Sequence, residues 1–265
     1  MQIIDSHVHT GLNWSEPVDV LLYQMDSNNV AGAVLAQHNG NYDNTYLLEC
    51  AKRYEGRFKV VALVDLNDPA RLKTLETLHK QGASGIRINL RKEDTWDPEN
   101  AAFAVAGDLG MIVSVIGAAA NFASARFKTL LDNCPQTHFS LEHLVRAPGN
   151  DVSKAPYDVY EDALACAQWA NTSVKVPGIG EILGKPHRLP AGFPYEVMPP
   201  HYEMAKKAFG VQRMMWGSNF PPSAAKEGYR NTLEGVRRMP AFQEADDLEW
   251  VLGKAAAKLW GFGEG

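Results

Sequence analysis

The chain has 265 residues, 45% of them hydrophobic and 22% charged, with a formal net charge of −5, which is ample material for one large core. Lys and Arg are scattered and no apolar stretch outruns a strand, which excludes a nucleic-acid footprint and a membrane-spanning helix. No basic region followed by an apolar core opens the chain, and Cys50, Cys134 and Cys166 lie far apart, so the expectation is a cytoplasmic protein with reduced cysteines and no secretory leader.

Short apolar runs alternate with longer amphipathic ones. In chain order the predicted strands, each with the helix that follows it, are Gln2–Ser6 and Val18–Ser27, Gly32–Gln37 and Asp43–Tyr54, Phe58–Val64 and Pro69–Gln81, and Gly85–Leu90 and Pro98–Leu109. The second half gives Met111–Ile116 and Phe122–Asn133, His138–Glu142 and Tyr157–Ala170, Ser173–Val176 and Glu196–Phe209, and Arg213–Trp216 and Ala224–Met239, with a last helix over Ala245–Leu259. Asp68-Pro69 and Asp97-Pro98 read as helix starts, and Gly82, Gly110 and Gly210 as helix stops. Eight strands alternating with eight helices is the arithmetic of an α/β (β/α)8 TIM barrel, a single domain over residues 1–265 with an extra C-terminal helix. Two long loops interrupt the period. Arg146–Pro156 follows strand six, and residues 178–200, with five prolines and four glycines, follow strand seven. The second is a candidate active-site lid, with Phe193, Tyr195 and Met198 as substrate-facing groups.

Asp5-Ser6-His7-Val8-His9 ends the first strand. Alternation puts His7 and His9 on one face with Asp5 one step behind, placed to orient His7. Paired imidazoles at a strand exit can hold a metal, polarise a carbonyl or pass a proton. In a barrel, the C-terminal strand ends converge on one mouth. They contribute Gln37 and His38, then Arg87, Asn89 and Arg91, then Glu142 and His143, and finally Trp216 with Ser218 and Asn219. Glu142 is expected to face away from His143 toward a helix, and Lys175 to face the helix layer. His79, His138, His187 and His201 read as packing or surface residues.

Ile4-Asp5-Ser6-His7-Val8-His9, Gly85-Ile86-Arg87-Ile88-Asn89, Glu142-His143-Leu144 and Trp216-Gly217-Ser218-Asn219-Phe220-Pro221 occur in this order. Together they resemble the amidohydrolase superfamily, specifically its amidohydrolase-2 branch of lactonase-like enzymes. The resemblance implies a distorted (β/α)8 barrel that hydrolyses small cyclic esters such as sugar-acid lactones, pyrones or muconolactones. Some relatives in the wider branch decarboxylate or hydrate aromatic acids with a divalent metal. The sequence departs from the superfamily at Arg87 and Asn89, where a bridging Lys or Glu is absent, and in Met111–Ile116, which lacks a His. It also carries Asn219 where the family has Asp, and an amide cannot take a proton from water at neutral pH.

The expected enzyme is a hydrolase of a small anionic cyclic ester. Its catalytic residues are His7, His9, His143 and Asn219, with His7 and His9 polarising the carbonyl, Asn219 placing the water and His143 accepting its proton. Gln37, His38, Arg87, Asn89 and Trp216 form the substrate-binding set, and Arg87 is suited to a planar carboxylate. His7 and His9 are the candidate metal ligands; either no cofactor is required or a divalent metal such as Zn2+ is held weakly. The alternatives are a metal-dependent decarboxylase, lyase or isomerase of a small carboxylic acid, and a catalytically inactive ligand-binding barrel. No nucleic-acid or membrane partner is expected. Aromatics such as Trp14, Trp250 and Trp260 would either serve a homo-oligomer interface or simply pack the terminal helix.

Overall fold

The computed structural model describes residues 1–92, 100–146 and 157–263. Within them, eight parallel strands pair in sequence order, β1 Ile3–Val8, β2 Val30–Ala36, β3 Phe58–Leu63, β4 Ala83–Asn89, β5 Ile112–Ile116, β6 Phe139–Leu141, β7 Thr172–Val176 and β8 Met214–Trp216. The barrel closes just past β8, where Val8 bridges Phe220, the Asn219 N–H donates to the His7 carbonyl at 2.9 Å and the His9 N–H to the Phe220 carbonyl at 2.8 Å. The helices are α1 Val18–Ser27, α2 Thr45–Arg53, α3 Arg71–Lys80, α4 Ala101–Asp108, α5 Ala119–Ala123, α6 Ala125–Asn133, α7 Asp158–Leu164, α8 Ile179–Leu183, α9 His201–Phe209, α10 Tyr229–Arg238, α11 Asp247–Glu249 and α12 Ala255–Trp260. This is the expected (β/α)8 barrel with an added C-terminal helix. None of the described helices is long and apolar enough to cross a membrane.

Several predicted helices are divided. Ser124 splits the helix expected over Phe122–Asn133, its Oγ accepting from the Phe127 N–H at 3.2 Å as an N-cap. A π-turn over Trp250–Lys254 interrupts the last helix. Pro69 precedes α3, and Asp68 Oδ1 accepts the Ala70 N–H at 2.8 Å. The Asp97-Pro98 start and most of the Arg146–Pro156 loop lie outside the described residues.

Strand alternation sorts the side chains into two layers. Val113, Val115, Phe139, Leu141, Val174, Val176, Met214 and Trp216 pack toward the helices. Ile4, Val34, Ala36, Val61, Ile112 and Met215 point inward, where Trp260 and Phe262 from the chain's C-terminal end plug the bottom of the barrel. Trp260 therefore packs the barrel floor, whereas Trp14 is exposed near the mouth. At the same inward parity, toward the top, stand Arg87, Ser114, Glu142 and Lys175. All four are buried.

Candidate active site

Two backbone irregularities set the mouth of the barrel. Between Asp5 and Val8 the β1 register against β2 shifts. Such a bulge re-aims side chains. Ile4 points into the barrel and Val8 toward the helices, so His7 faces inward beside Ser6, whose Oγ donates to the Met215 carbonyl at 3.2 Å. Asp5 is left on the other side. Its Oδ1 accepts the Ser218 N–H at 2.8 Å and the His7 backbone N–H at 3.2 Å, and burial pushes its carboxyl up to about 6. The expectation that Asp5 orients the His7 ring is corrected: it ties the β1–β8 seam instead. The second irregularity follows β6. His143, Leu144, Val145 and Arg146 all have positive φ, from 54° down to 43°. Left-handed backbone costs roughly 1–2 kcal/mol per residue, and fully buried Leu144 and Val145 anchor the turn. It swings His143 to the same side as Glu142, with Nε2 3.8 Å from Glu142 Oε2. The expectation that Glu142 faces away is thereby overturned.

Glu142 is the hub. Arg87 grips it with two prongs, Nε to Oε1 at 2.9 Å and Nη2 to Oε2 at 2.7 Å. Ser114 Oγ donates to Oε1 at 2.8 Å, and Lys175 Nζ lies 3.9 Å from it. Burial pushes the Glu142 carboxyl up, but Arg87 and Lys175 outweigh it and hold the group well below the usual range. Arg87 was expected to take a substrate carboxylate; its bidentate edge is committed to Glu142, and Nη1 donates to the Gln37 carbonyl at 2.9 Å. One N–H remains on each terminal nitrogen.

Lys175 faces inward, not toward the helix layer, and donates to Ser114 Oγ at 2.7 Å and to His7 Nδ1 at 3.1 Å. Burial lowers it to about 8, so it is an ammonium at neutral pH and can only donate. His7 Nδ1 is then the acceptor, and the ring carries its hydrogen on Nε2, a buried atom without a partner among the described residues. His9 takes the opposite tautomer. Its Nδ1 lies 2.7 Å from the Ala36 carbonyl, which can only accept, so Nε2 carries the lone pair. Burial keeps His7, His9 and His143 neutral, lowering His143 to about 4. The His7 ring meets the His9 and His143 rings edge-on at 4.8 and 5.0 Å, and His9 stacks on His38 at 4.5 Å.

The remaining predicted residues divide. Asn219 sits at the rim with positive φ, and its Nδ2 donates to Glu181 Oε2 at 3.3 Å. Gln37 shapes its own loop, donating through Nε2 to the Asp43 carbonyl at 2.7 Å and accepting the His38 N–H at 2.9 Å. Asn89 Oδ1 accepts the Arg91 N–H at 3.1 Å. Trp216, expected to bind substrate, is fully buried at outward parity with its ring 5.9 Å from Tyr229. In the 178–200 segment Phe193, Tyr195 and Met198 pack against the core, with Arg238 over the Phe193 ring at 5.1 Å. Phe193 packs against α10, while the Tyr195 hydroxyl donates to the Gly184 carbonyl at 2.9 Å at the end of α8. The segment reaches the site through Glu181, which sequence reasoning missed. Glu142 and Lys175 were legible: Phe139/Leu141 and Val174/Val176 fix the outward parity, so Glu142 and Lys175 must point inward.

His7, Glu142 and His143 each bring a potential ligand atom within 4.8 Å of the others, a different set from the expected His7 and His9. The donor types suit a divalent metal, but the set fits one poorly. His7 Nδ1 is taken by Lys175, Nε2 carries the hydrogen, and Glu142 already answers two cations.

The sequence matches the amidohydrolase family over residues 14–262. Among proteins with curated descriptions, none matches. The fold is similar to a Pseudomonas putida protein assigned to 2-pyrone-4,6-dicarboxylic acid hydrolysis, at 18% identity and TM-score 0.75 over 100% of this chain and 99% of that one. It is similar to a Burkholderia multivorans amidohydrolase with bound zinc, at 18% identity and TM-score 0.78 over 99% and 100%. A 5-carboxyvanillate decarboxylase from Sphingomonas paucimobilis aligns at 13% identity and TM-score 0.70 over 99% of each chain. At these identities the likeness is one of fold.

Proposed function

The chain belongs to the amidohydrolase family, and on that premise we propose that it hydrolyses a small anionic cyclic ester of the lactone or pyrone type. The observation that carries this reading is His7 Nε2, a buried N–H without a partner among the described residues, on a ring fixed from behind by Lys175. A preorganised donor of this kind is suited to the oxygen of a carbonyl as it becomes an oxyanion. Arg87 and Lys175 outnumber Glu142 beside the neutral histidines, which favours an anionic substrate. The two free Arg87 N–H groups would meet it, with His38 and His9 stacked along the wall. The pyrone-hydrolase neighbour supports the same substrate class. In the reaction, water adds to the carbonyl carbon, His7 holds the oxyanion, and collapse breaks the ring C–O bond. His143 is a weak acceptor for the water's proton, because burial already denies it one at neutral pH.

Purified protein should open a lactone or 2-pyrone-4,6-dicarboxylate in a stopped assay. His7→Phe should lower kcat by about 10²–10³, the effect of losing one oxyanion donor. Turnover should also persist after exhaustive dialysis against EDTA, since the donor set fits a metal poorly. Metal-assisted decarboxylation is the second reading, favoured by the closeness of His7, Glu142 and His143. Absence of ring opening together with zinc- or manganese-dependent CO2 release from an aromatic acid would replace the first reading with the second.

A further inference from the structure

Position 219 leaves hydrolysis without a proton acceptor on the eighth strand, yet a carboxylate stands beside it. Glu181, on α8 just after β7, receives the Asn219 amide on Oε2 at 3.3 Å, and Lys226 pairs with the same oxygen. Both contacts fall on Oε2, which leaves Oε1 to accept from a water. The side chain is 11% exposed, and α8 lies between the strand ends that carry His143 and Asn219. Its placement is built into the fold. The Glu227 carboxyl lies against the start of α8, where the backbone N–H groups of Gly180 and Glu181 favour its charged form. A Cβ on Gly178 would come within 2.2 Å of Glu227 Oε1, and one on Gly180 within 2.9 Å. Gly-Ile-Gly at 178–180 is thus the cradle that lets Glu227 seize the helix and present Glu181 to the mouth.

We propose that Glu181 is the general base of this chain, with Asn219 as its positioning residue, so that the carboxylate missing from β8 is supplied by the β7 loop. The inference rests on the hydrolase reading above. The water's oxygen bonds to the carbonyl carbon while one of its protons passes to Glu181 Oε1, and the C=O electron pair moves to the oxygen held by His7. The pair returns, the ring C–O bond breaks, and Glu181 gives its proton to the leaving oxygen. The products are the ring-opened hydroxy or keto acid, and the base is restored.

The charged and titratable groups around Glu181 are Lys226, Glu227, His143 and Tyr202. Burial pushes the Glu181 carboxyl up, and His143 and Lys226 hold it below the usual range. The test is a pH profile of kcat/KM on a lactone or pyrone that the wild type turns over. Glu181→Gln should lose at least 10²-fold in kcat while its unfolding temperature stays close to wild type. Lys226→Met keeps the carboxylate without its partner and should retain turnover at high pH, with the acid limb of the profile moved upward from its wild-type position. The double variant should be as slow as Glu181→Gln, with no such limb. If Glu181 serves only as an ion-pair strut, the two single variants will behave alike and neither will move the limb, which overturns the proposal. Wild-type turnover with Glu181→Gln within twofold overturns this inference alone. A wild type inert on every lactone and pyrone overturns the hydrolase reading and the inference with it.

Discussion

Glu142→Ala should lower the folding free energy by about 3–5 kcal/mol, the cost of stripping the partner from a buried ion pair. Glu142 is fully buried and answers Arg87, Ser114 and Lys175 together. Removing it strands a guanidinium that is itself 4% exposed. The converse experiment separates the worth of the pair from the cost of breaking it. Replacing the whole cluster with apolar residues, Arg87→Met and Lys175→Met with Glu142→Leu, should recover most of the lost stability, because no charge is then left without an answer. Urea denaturation of the three proteins measures this. A Glu142→Ala loss below about 1 kcal/mol, the range of exposed pairs, would mean that water reaches the cluster freely, and the electrostatic account of the site would fail with it.

Acidification from pH 6.5 toward 4 should destabilise the protein by several kcal/mol. Two sets of groups oppose each other. His143 and His138 are lowered by burial to about 4, and His7 and His9 fall well below their ordinary value. A base with a lowered folded pKa binds fewer protons folded than unfolded, so stability is lost as pH falls through the unfolded value of about 6.5. His143 and His138 each carry a shift worth roughly 3 kcal/mol at 1.36 kcal/mol per unit. Burial raises Asp5 to about 6 and Glu227 to about 7, and these carboxyls act in the other direction, adding stability as pH falls toward 4. Their combined shift is of the same size as that of His143 and His138, roughly 6 kcal/mol. His7 and His9 then tip the balance toward acid unfolding. Urea midpoints at pH 4.5, 5.5 and 6.5 should fall in that order of acidity. Glu227→Gln, which keeps the neutral form at every pH, should steepen the fall. A flat profile over this window would contradict the burial of the four imidazoles.

Most of the fold was legible in the chain. The eightfold alternation of apolar runs and amphipathic stretches follows from burying strands on both faces, and the strands observed fall within or close to those expected. Helix ends were less legible, because Ser124 as a cap and the π-turn at Trp250–Lys254 depend on packing that periodicity does not carry. The gathering of His7, His9, Arg87, His143 and Asn219 at one mouth was also readable, since strand ends in a barrel converge. Trp216 was misplaced although its neighbours held the answer: Met215 points inward, so Trp216 must point out.

The sequence alone determined the barrel, the family resemblance and which strands bring polar groups to the rim. It did so because a two-residue period and a helical period are written directly in the order of apolar side chains. Only the tertiary structure decided how those groups pair. A one-residue bulge before His7 and a left-handed turn at His143 each break the local period, so alternation points to the wrong neighbour at both places. Glu181 enters from a different strand's loop, and its meeting with Asn219 and Lys226 is a contact between segments about forty residues apart. No local pattern encodes such a meeting, because its geometry is fixed by closure of the barrel and not by any neighbour in the chain.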